Sequence, residues 1–179
     1  MIAGFPDSAF AMSAFVIDAF EFSRLKEQAE GELAVADMAR LAGETVDRAG
    51  TIKWSLSGGA DKLGHPQLKL SVSGQVNLVC QRCLTAMPFE VSSESVLVLA
   101  KDEESADAIE EVLDDESVDV IVGEAEFNVG YLVEDEALLA LPVAPKHESC
   151  PAQALPGSGA EAAATEKVSP FSVLKNLKQ

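Results

Sequence analysis

The strongest constraint on the fold is a long region, residues 51–100, in which apolar and polar side chains alternate with a period of two. That period is typical of half-buried β-strands, because successive side chains point to opposite faces of a sheet. Stretches rich in Gly and Ser, or containing Pro, predict turns at residues 57–61, 64–66 and 73–74. Strands joined by such short turns pair antiparallel. The apolar positions that define the pattern include Ile52, Trp54, Leu56, Leu68, Leu70, Val72, Val76 and Leu78.

Before this region the sequence predicts a short strand, residues 13–17, and two short helices. Asp18 and Glu21 have the spacing of a capping box at the start of the first helix. Gly31 is expected to end that helix, and the second helix follows it and ends near Gly43. The apolar residues at helical spacing are Phe22, Leu25 and Ala29 in the first helix and Val35, Met38 and Leu41 in the second.

A third helix is predicted over residues 130–141, with Asn128 as its N-cap and Pro142 as its end. Its second half is apolar on every side, which indicates burial against the sheet. The run Glu134–Glu136 fits the dipole of the early turns better than catalysis, because no nucleophile accompanies it. The expected fold class is therefore α+β: an antiparallel β-meander or partly closed barrel, packed by a few helices, with a flexible C-terminal tail.

The chain divides into one domain and a tail. Residues 1–150 are expected to form a single α+β domain with an acidic insertion at about residues 101–126 and a strand at residues 118–122. Residues 151–168, rich in Ala, Gly, Ser and Glu, are predicted to be a flexible linker. Residues 169–179 are predicted to form an amphipathic peptide that docks on its own domain or on a partner, with Phe171, Leu174 and Leu177 on one face, and free fraying is the alternative.

The formal net charge is −17, which opposes broad binding to nucleic acid, since phosphate contacts need clustered Lys and Arg. Residues 101–126 hold 12 acidic residues and one basic residue, so one segment supplies most of the charge. That segment is interpreted as a solvated insertion; a site for a basic partner is the alternative. The sequence has no apolar run of transmembrane length and no positively charged leader, so no membrane is expected and the predicted location is the cytoplasm.

The chemistry of the chain is concentrated in its three cysteines and one histidine. Cys80 and Cys83 stand at C-x-x-C spacing at the end of a predicted strand, and His147 and Cys150 form a second pair. Two such pairs suit a closed, tetrahedral zinc ion with a structural role. Reduced thiols without metal are the alternative, and a redox pair is disfavoured because the motif does not open a helix. The chain has no phosphate-binding loop, no H-E-x-x-H and no G-x-S-x-G motif.

Four ordered blocks resemble the YceD family, described as large ribosomal RNA subunit accumulation protein. They are residues 78–84 (LVCQRCL), residues 132–142 (LVEDEALLALP), the Pro145-x-His147-x-x-Cys150 segment and residues 170–178 (PFSVLKNLK). The resemblance covers the chain from about residue 52 to its end and is loose before that. Some relatives carry more cysteines after the Leu-Pro segment, where this chain has His147 and Cys150.

The resemblance implies a bacterial cytoplasmic factor needed for synthesis, processing or stability of 23S ribosomal RNA, and it implies no enzyme. The acidity favours an adaptor that binds ribosome-assembly proteins or a basic ribosomal protein. Two alternatives stay open: direct RNA contact through a patch near Arg82, and an enzyme of RNA maturation. Arg82 and the apolar face of the C-terminal peptide are the predicted partner-binding residues, and the oligomeric state is left unassigned.

Overall fold

The computed structural model describes residues 15–113 and 118–150. The strands in these segments are β1 (Val16–Ile17), β2 (Gln28–Ala34), β3 (Thr51–Ala60), β4 (Pro66–Val79), β5 (Ala86–Ala100), β6 (Asp119–Val122) and β7 (Phe127–Asn128). The helices are α1 (Ala19–Leu25), α2 (Ala39–Glu44), α3 (Glu103–Leu113) and α4 (Val129–Leu139), and a 3₁₀ turn (Val35–Asp37) precedes α2. The predicted linker and C-terminal peptide lie outside the described residues.

The main sheet has five strands in the order β2-β3-β4-β5-β6. The first four pair antiparallel in chain order, so the predicted α+β class and meander are confirmed. The sheet is open, with β2 and β6 at its edges, and the barrel alternative is therefore wrong. β6 pairs parallel to β5, and α3 makes the crossover between them. β1 and β7 form a separate two-stranded sheet.

Two of the predicted turns are continuous strand. β3 runs through residues 57–60, and β4 passes through residues 73–74 without a break. Gly58 and Gly74, which lie in these stretches, allow a neighbouring backbone to approach closely. A Cβ on Gly58 would overlap the carbonyl oxygen of Phe22 in α1, and one on Gly74 would meet the backbone of Thr51. The actual turn lies at residues 61–65, where the Asp61 carboxylate accepts hydrogen bonds from the backbone of Leu63 and His65.

The prediction that the first helix extends to Ala29 and ends at Gly31 is wrong. Lys26 adopts a left-handed conformation (φ 54°) and closes α1 after Leu25, so Ala29 and Gly31 lie in β2. Gly31 pairs with Trp54 of β3, and a Cβ on Gly31 would lie 3.0 Å from the Trp54 ring. Gly31 therefore makes room for the indole rather than breaking a helix. The N-cap prediction is confirmed, since Asp18 Oδ1 accepts the N–H of Glu21 at 2.9 Å.

One face of the sheet carries the core. α1, the 3₁₀ turn, α2 and α4 pack on this face and bury its apolar residues, which include Ile52, Leu56, Leu70, Val72 and Val76. Asn128 caps α4 as predicted, and Val133 and Ala137 are completely buried. The predicted burial of this helix against the sheet is confirmed, although its side away from the sheet is open, with Leu139 80% exposed.

The acidic segment forms more than a solvated insertion. Its helix, α3, packs against β5 and β6 and buries Ala106. The Asp102 carboxylate accepts the backbone N–H of Ser105 at 2.8 Å and so caps the start of this helix. The predicted strand at residues 118–122 is confirmed as β6. No helix in the described segments is long and apolar enough to cross a membrane.

Candidate metal centre

The C-x-x-C motif forms the loop between the two longest strands, β4 and β5. Within this hairpin loop, residues 80–85, the Cys80 N–H donates to the Thr85 carbonyl at 2.9 Å. The Leu84 N–H donates back to the Cys80 carbonyl at 2.8 Å, and Leu84 itself has a positive φ of 60°. This tight loop places both thiols in the protein interior, with Cys80 fully buried and Cys83 5% exposed.

The segment after α4, residues 140–150, folds back onto the hairpin loop. The backbone N–H of Gln81 donates to the Pro145 carbonyl at 2.9 Å, and its side-chain amide donates to the Val143 carbonyl at 3.3 Å. The backbone N–H of His147 donates to Cys80 Sγ at 3.4 Å. These bonds join two segments that are more than sixty residues apart in the chain.

The donor atoms of Cys80, Cys83, His147 and Cys150 all lie within 4.8 Å of one another. Cys80 Sγ is 3.7 Å from Cys150 Sγ, and Cys83 Sγ is 3.4 Å from His147 Nδ1. A tetrahedral zinc ion with ordinary bond lengths needs about 3.8 Å between two sulfurs and about 3.6 Å between sulfur and nitrogen. These two distances match those of a tetrahedral zinc ion, and the four donors together are close enough to hold one metal ion.

A family model described as Large ribosomal RNA subunit accumulation protein YceD matches residues 68–178, a region that includes all four residues of this cluster. The chain belongs to the YceD family. Neither the curated proteins nor the solved structures gave a match.

The YceD match begins in β4 and confirms the resemblance drawn from the four sequence blocks. It contains the hairpin loop, α4 and the returning segment. α1, α2, β2 and β3 lie before the matched residues and complete the sheet and its cover. The family description associates the chain with accumulation of large-subunit ribosomal RNA.

The surroundings of the hairpin thiols favour the thiolate, which is the form that binds metal. Burial raises the pKa of Cys80, but hydrogen bonds from the backbone amides of His147, Cys83 and Arg82 outweigh it and lower that pKa to about 5. The hydroxyl of Thr85, 3.1 Å from Cys83 Sγ, lowers the pKa of Cys83. The sequence pattern did not predict a role for Thr85. Its position two residues after Cys83 is the sequence feature that indicates this hydrogen bond.

Arg82 turns back toward the cluster from an exposed position. Its Nε donates to Cys150 Sγ at 2.9 Å, and its Nη2 donates to the His147 carbonyl at 2.9 Å. This guanidinium is thus bonded within the chain, and a contact between Arg82 and a partner stays a prediction. The other predicted partner-binding residues, Phe171, Leu174 and Leu177, lie outside the described part of the chain.

The carboxylates of α4 have structural partners. Glu134, 1% exposed, accepts the backbone N–H groups of Arg40 and Leu41 at 2.7 and 3.2 Å, so it caps α2. Glu136 accepts a hydrogen bond from the Ser93 hydroxyl in β5. These carboxylates therefore stabilise the packing of α4, whereas the sequence assigned them to the dipole of their own helix.

Proposed function

We propose that this YceD-family chain is a non-enzymatic cytoplasmic factor that supports synthesis, processing or stability of 23S ribosomal RNA, and that it acts chiefly by binding proteins. The family match carries the ribosomal part of this proposal. The protein-binding part rests on the net charge of −17 and on ion pairs that three of the described cations form within the chain. Arg24, Arg40 and Lys53 are each paired with a carboxylate.

The open side of the sheet also supports protein binding over general RNA binding. The two-residue period turns small polar and basic side chains outward along β3 and β4, including Lys53, Ser55, Lys69, Ser71 and Ser73. Sheets that bind single-stranded RNA present aromatic side chains on which bases stack. The outward positions of β3 and β4 have serine and lysine where such a sheet would have aromatics.

We further propose a structural zinc ion held by Cys80, Cys83, His147 and Cys150. The convergence of four donor atoms within 4.8 Å of one another, from two segments far apart in the chain, is the observation that carries this proposal. Zinc would fix residues 140–150 onto the hairpin loop. Three thiolates and an imidazole fill all four positions, so the ion is assigned a structural role.

Metal analysis of the full chain, purified without chelator, tests the zinc proposal. We expect about one zinc per chain and a lower melting temperature after chelation. Cys83→Ser should lose the metal, whereas Ser149→Ala, next to Cys150 in the returning segment, should keep it. Zinc well below one per chain, with melting unchanged by chelator, would show that the residues are reduced thiols.

The surface around the metal-site loops is the proposed docking region for the protein partner. Leu84 is 75% exposed, Val143 is 99% exposed and Val79, at the end of β4, is 44% exposed. Exposed apolar side chains near one end of a domain are a common feature of protein-binding surfaces. The chain continues from Cys150 into residues 151–179, which include the predicted apolar positions Phe171, Leu174 and Leu177.

Affinity purification of tagged protein, with and without residues 169–179, tests the adaptor proposal. We expect the full chain to retain a basic ribosomal protein or a processing enzyme after nuclease treatment, and the truncated chain to lose it. Leu174→Ala should behave like the truncation, and Asn176→Ala like the full chain. Loss of every partner on nuclease treatment would refute the adaptor proposal.

Binding of purified, metal-loaded protein to 23S RNA at several salt concentrations tests the rival proposal of direct contact near Arg82. Lys146→Glu is a better probe than a change at Arg82, because Lys146 has no hydrogen bond or ion pair within the described residues. Tight, salt-sensitive binding that this reversal abolishes would favour direct RNA recognition over the adaptor. Cleavage of that RNA by the purified chain, abolished by a point mutation, would instead favour an enzyme.

A further inference from the structure

The proposed zinc site has a charge that the protein must accommodate. Three thiolates and a neutral imidazole around one Zn²⁺ give the group a net charge of about −1. Two of the three thiols are buried, and the chain already has a net charge of −17. A buried negative group is costly unless a cation or hydrogen-bond donors face it. The site therefore calls for a cation or for hydrogen-bond donors beside its sulfurs.

Arg82 is the cation placed there. It stands between the two thiols of the hairpin loop in sequence, yet its Nε bonds Cys150, the thiol from the other segment, at 2.9 Å. Its Nη2 reaches the His147 carbonyl at 2.9 Å and lies 3.5 Å from the Glu148 carbonyl. The Arg82 guanidinium thus contacts the Cys150 sulfur and the backbone of His147, and these are the two proposed ligands from the returning segment.

We propose that Arg82 is a positioning residue of the metal centre, which neutralises the charge of the zinc–thiolate group and orients Cys150 for binding. This inference rests on the proposed zinc ion. It assigns to Arg82 a role inside the chain in place of the predicted contact with a partner. The planar guanidinium donates along separate directions to the sulfur and the carbonyl, and a lysine ammonium cannot reproduce that fork.

The alternative is that Arg82 only holds the loop in place. A merely structural residue would stabilise the chain equally with and without metal, whereas a group bonded to the ligand sulfur changes the metal itself. Hydrogen bonds to ligands typically change metal affinity by about 10–100-fold. They also lower the energy of the sulfur lone pairs, so their loss shifts the thiolate-to-cobalt absorption of a Co²⁺-substituted site to longer wavelength.

Zinc affinity of the full chain, measured by competition with a chromophoric chelator, tests the proposal. We expect Arg82→Ala to weaken zinc binding by about 10–100-fold and Arg82→Lys to have an intermediate effect. The Co²⁺ form of Arg82→Ala should keep tetrahedral absorption bands but show the shift to longer wavelength. Lys146→Ala is the matched control, since it removes a cation that precedes His147 in the returning segment, and it should bind zinc as wild type does.

The outcomes separate the two proposals. Wild-type protein that binds zinc while Arg82→Ala binds it with equal affinity and an unshifted Co²⁺ spectrum would overturn the role of Arg82 and leave the metal centre intact. Wild-type protein that binds neither metal would overturn both. If Arg82→Ala does not fold, Arg82→Lys decides: affinity and spectrum identical to wild type would contradict the need for the guanidinium fork.

Discussion

Glu134 offers the sharpest test of how the helical layer is held together. It belongs to α4, but its carboxylate accepts the backbone N–H groups of Arg40 and Leu41 at the start of α2. Met38, the N-cap residue of α2, supplies no side-chain hydrogen bond, so α2 depends on a carboxylate 94 positions away in sequence. Arg40 Nε also donates to this carboxylate at 3.0 Å.

The size of the effect follows from these contacts. Loss of an N-cap costs about 0.5–2 kcal/mol, and a buried amide left without a partner costs about 1–3 kcal/mol. Arg40 is 51% exposed, so solvent screening makes its ion pair with Glu134 a minor part of the effect. We therefore expect Glu134→Ala to lower the free energy of unfolding by about 3 kcal/mol. Glu134→Gln keeps one capping oxygen and should lower it by about 1–2 kcal/mol.

Urea unfolding of the purified chain, followed by the fluorescence of its single tryptophan, Trp54, measures both values. Asp135→Asn is the control, because it removes a carboxylate that also pairs with Arg40 but is half exposed. That variant should lose less than about 1 kcal/mol. If Glu134→Ala costs no more than Asp135→Asn, the capping of α2 by α4 contributes little and the reasoning is wrong.

Three further outcomes are expected. Gly58→Ala should lower the free energy of unfolding by about 1–3 kcal/mol in urea, because its methyl group meets the backbone of α1, while Gly59→Ala, which meets nothing within 4 Å, should not. Asn77→Ala should raise the pKa of Asp47 toward its ordinary value in an NMR titration, since the Asn77 amide lowers that pKa. The same substitution should shrink the stability that Asp47 contributes above its unfolded pKa. An unchanged pKa would contradict this cause. Chelation should speed hydrogen exchange at the Gln81 amide, bonded to the returning segment, while amides of the β3–β4 pairing exchange as before.

Features with a local cause were predictable from sequence. The two-residue period located β3, β4 and β5, and Asp18 and Asn128 marked the starts of their helices because an N-cap acts within three residues. The four donors of the candidate metal site were predictable from spacing, because closely spaced pairs of Cys and His are typical ligands of structural zinc sites. Their convergence within 4.8 Å was not, since it depends on how α4 returns the chain to the hairpin loop.

The wrong predictions have causes that lie far away in the chain. Gly31 resembles a helix breaker, and Gly74 resembles a turn residue, but each is small because another part of the protein lies against it. The parallel pairing of β6 depends on α3, which packs against β5 and β6 and makes the crossover between them. The acidic composition of this segment favoured a solvated insertion instead of such a helix. The bonds from Glu134 to α2 and from Arg82 to Cys150 join residues 94 and 68 positions apart, beyond the reach of local patterns.

The proposed zinc site takes its donors from two segments, and this division has a consequence during synthesis. Cys83 precedes His147 by 64 positions, and β5, α3, β6 and α4 are made between them. A nascent chain therefore carries two thiols long before the imidazole and the third thiol leave the ribosome, and two ligands cannot complete a structural zinc site. Stable metal capture would follow translation of the whole sheet and its helices, so that zinc content would distinguish finished domains from chains released early.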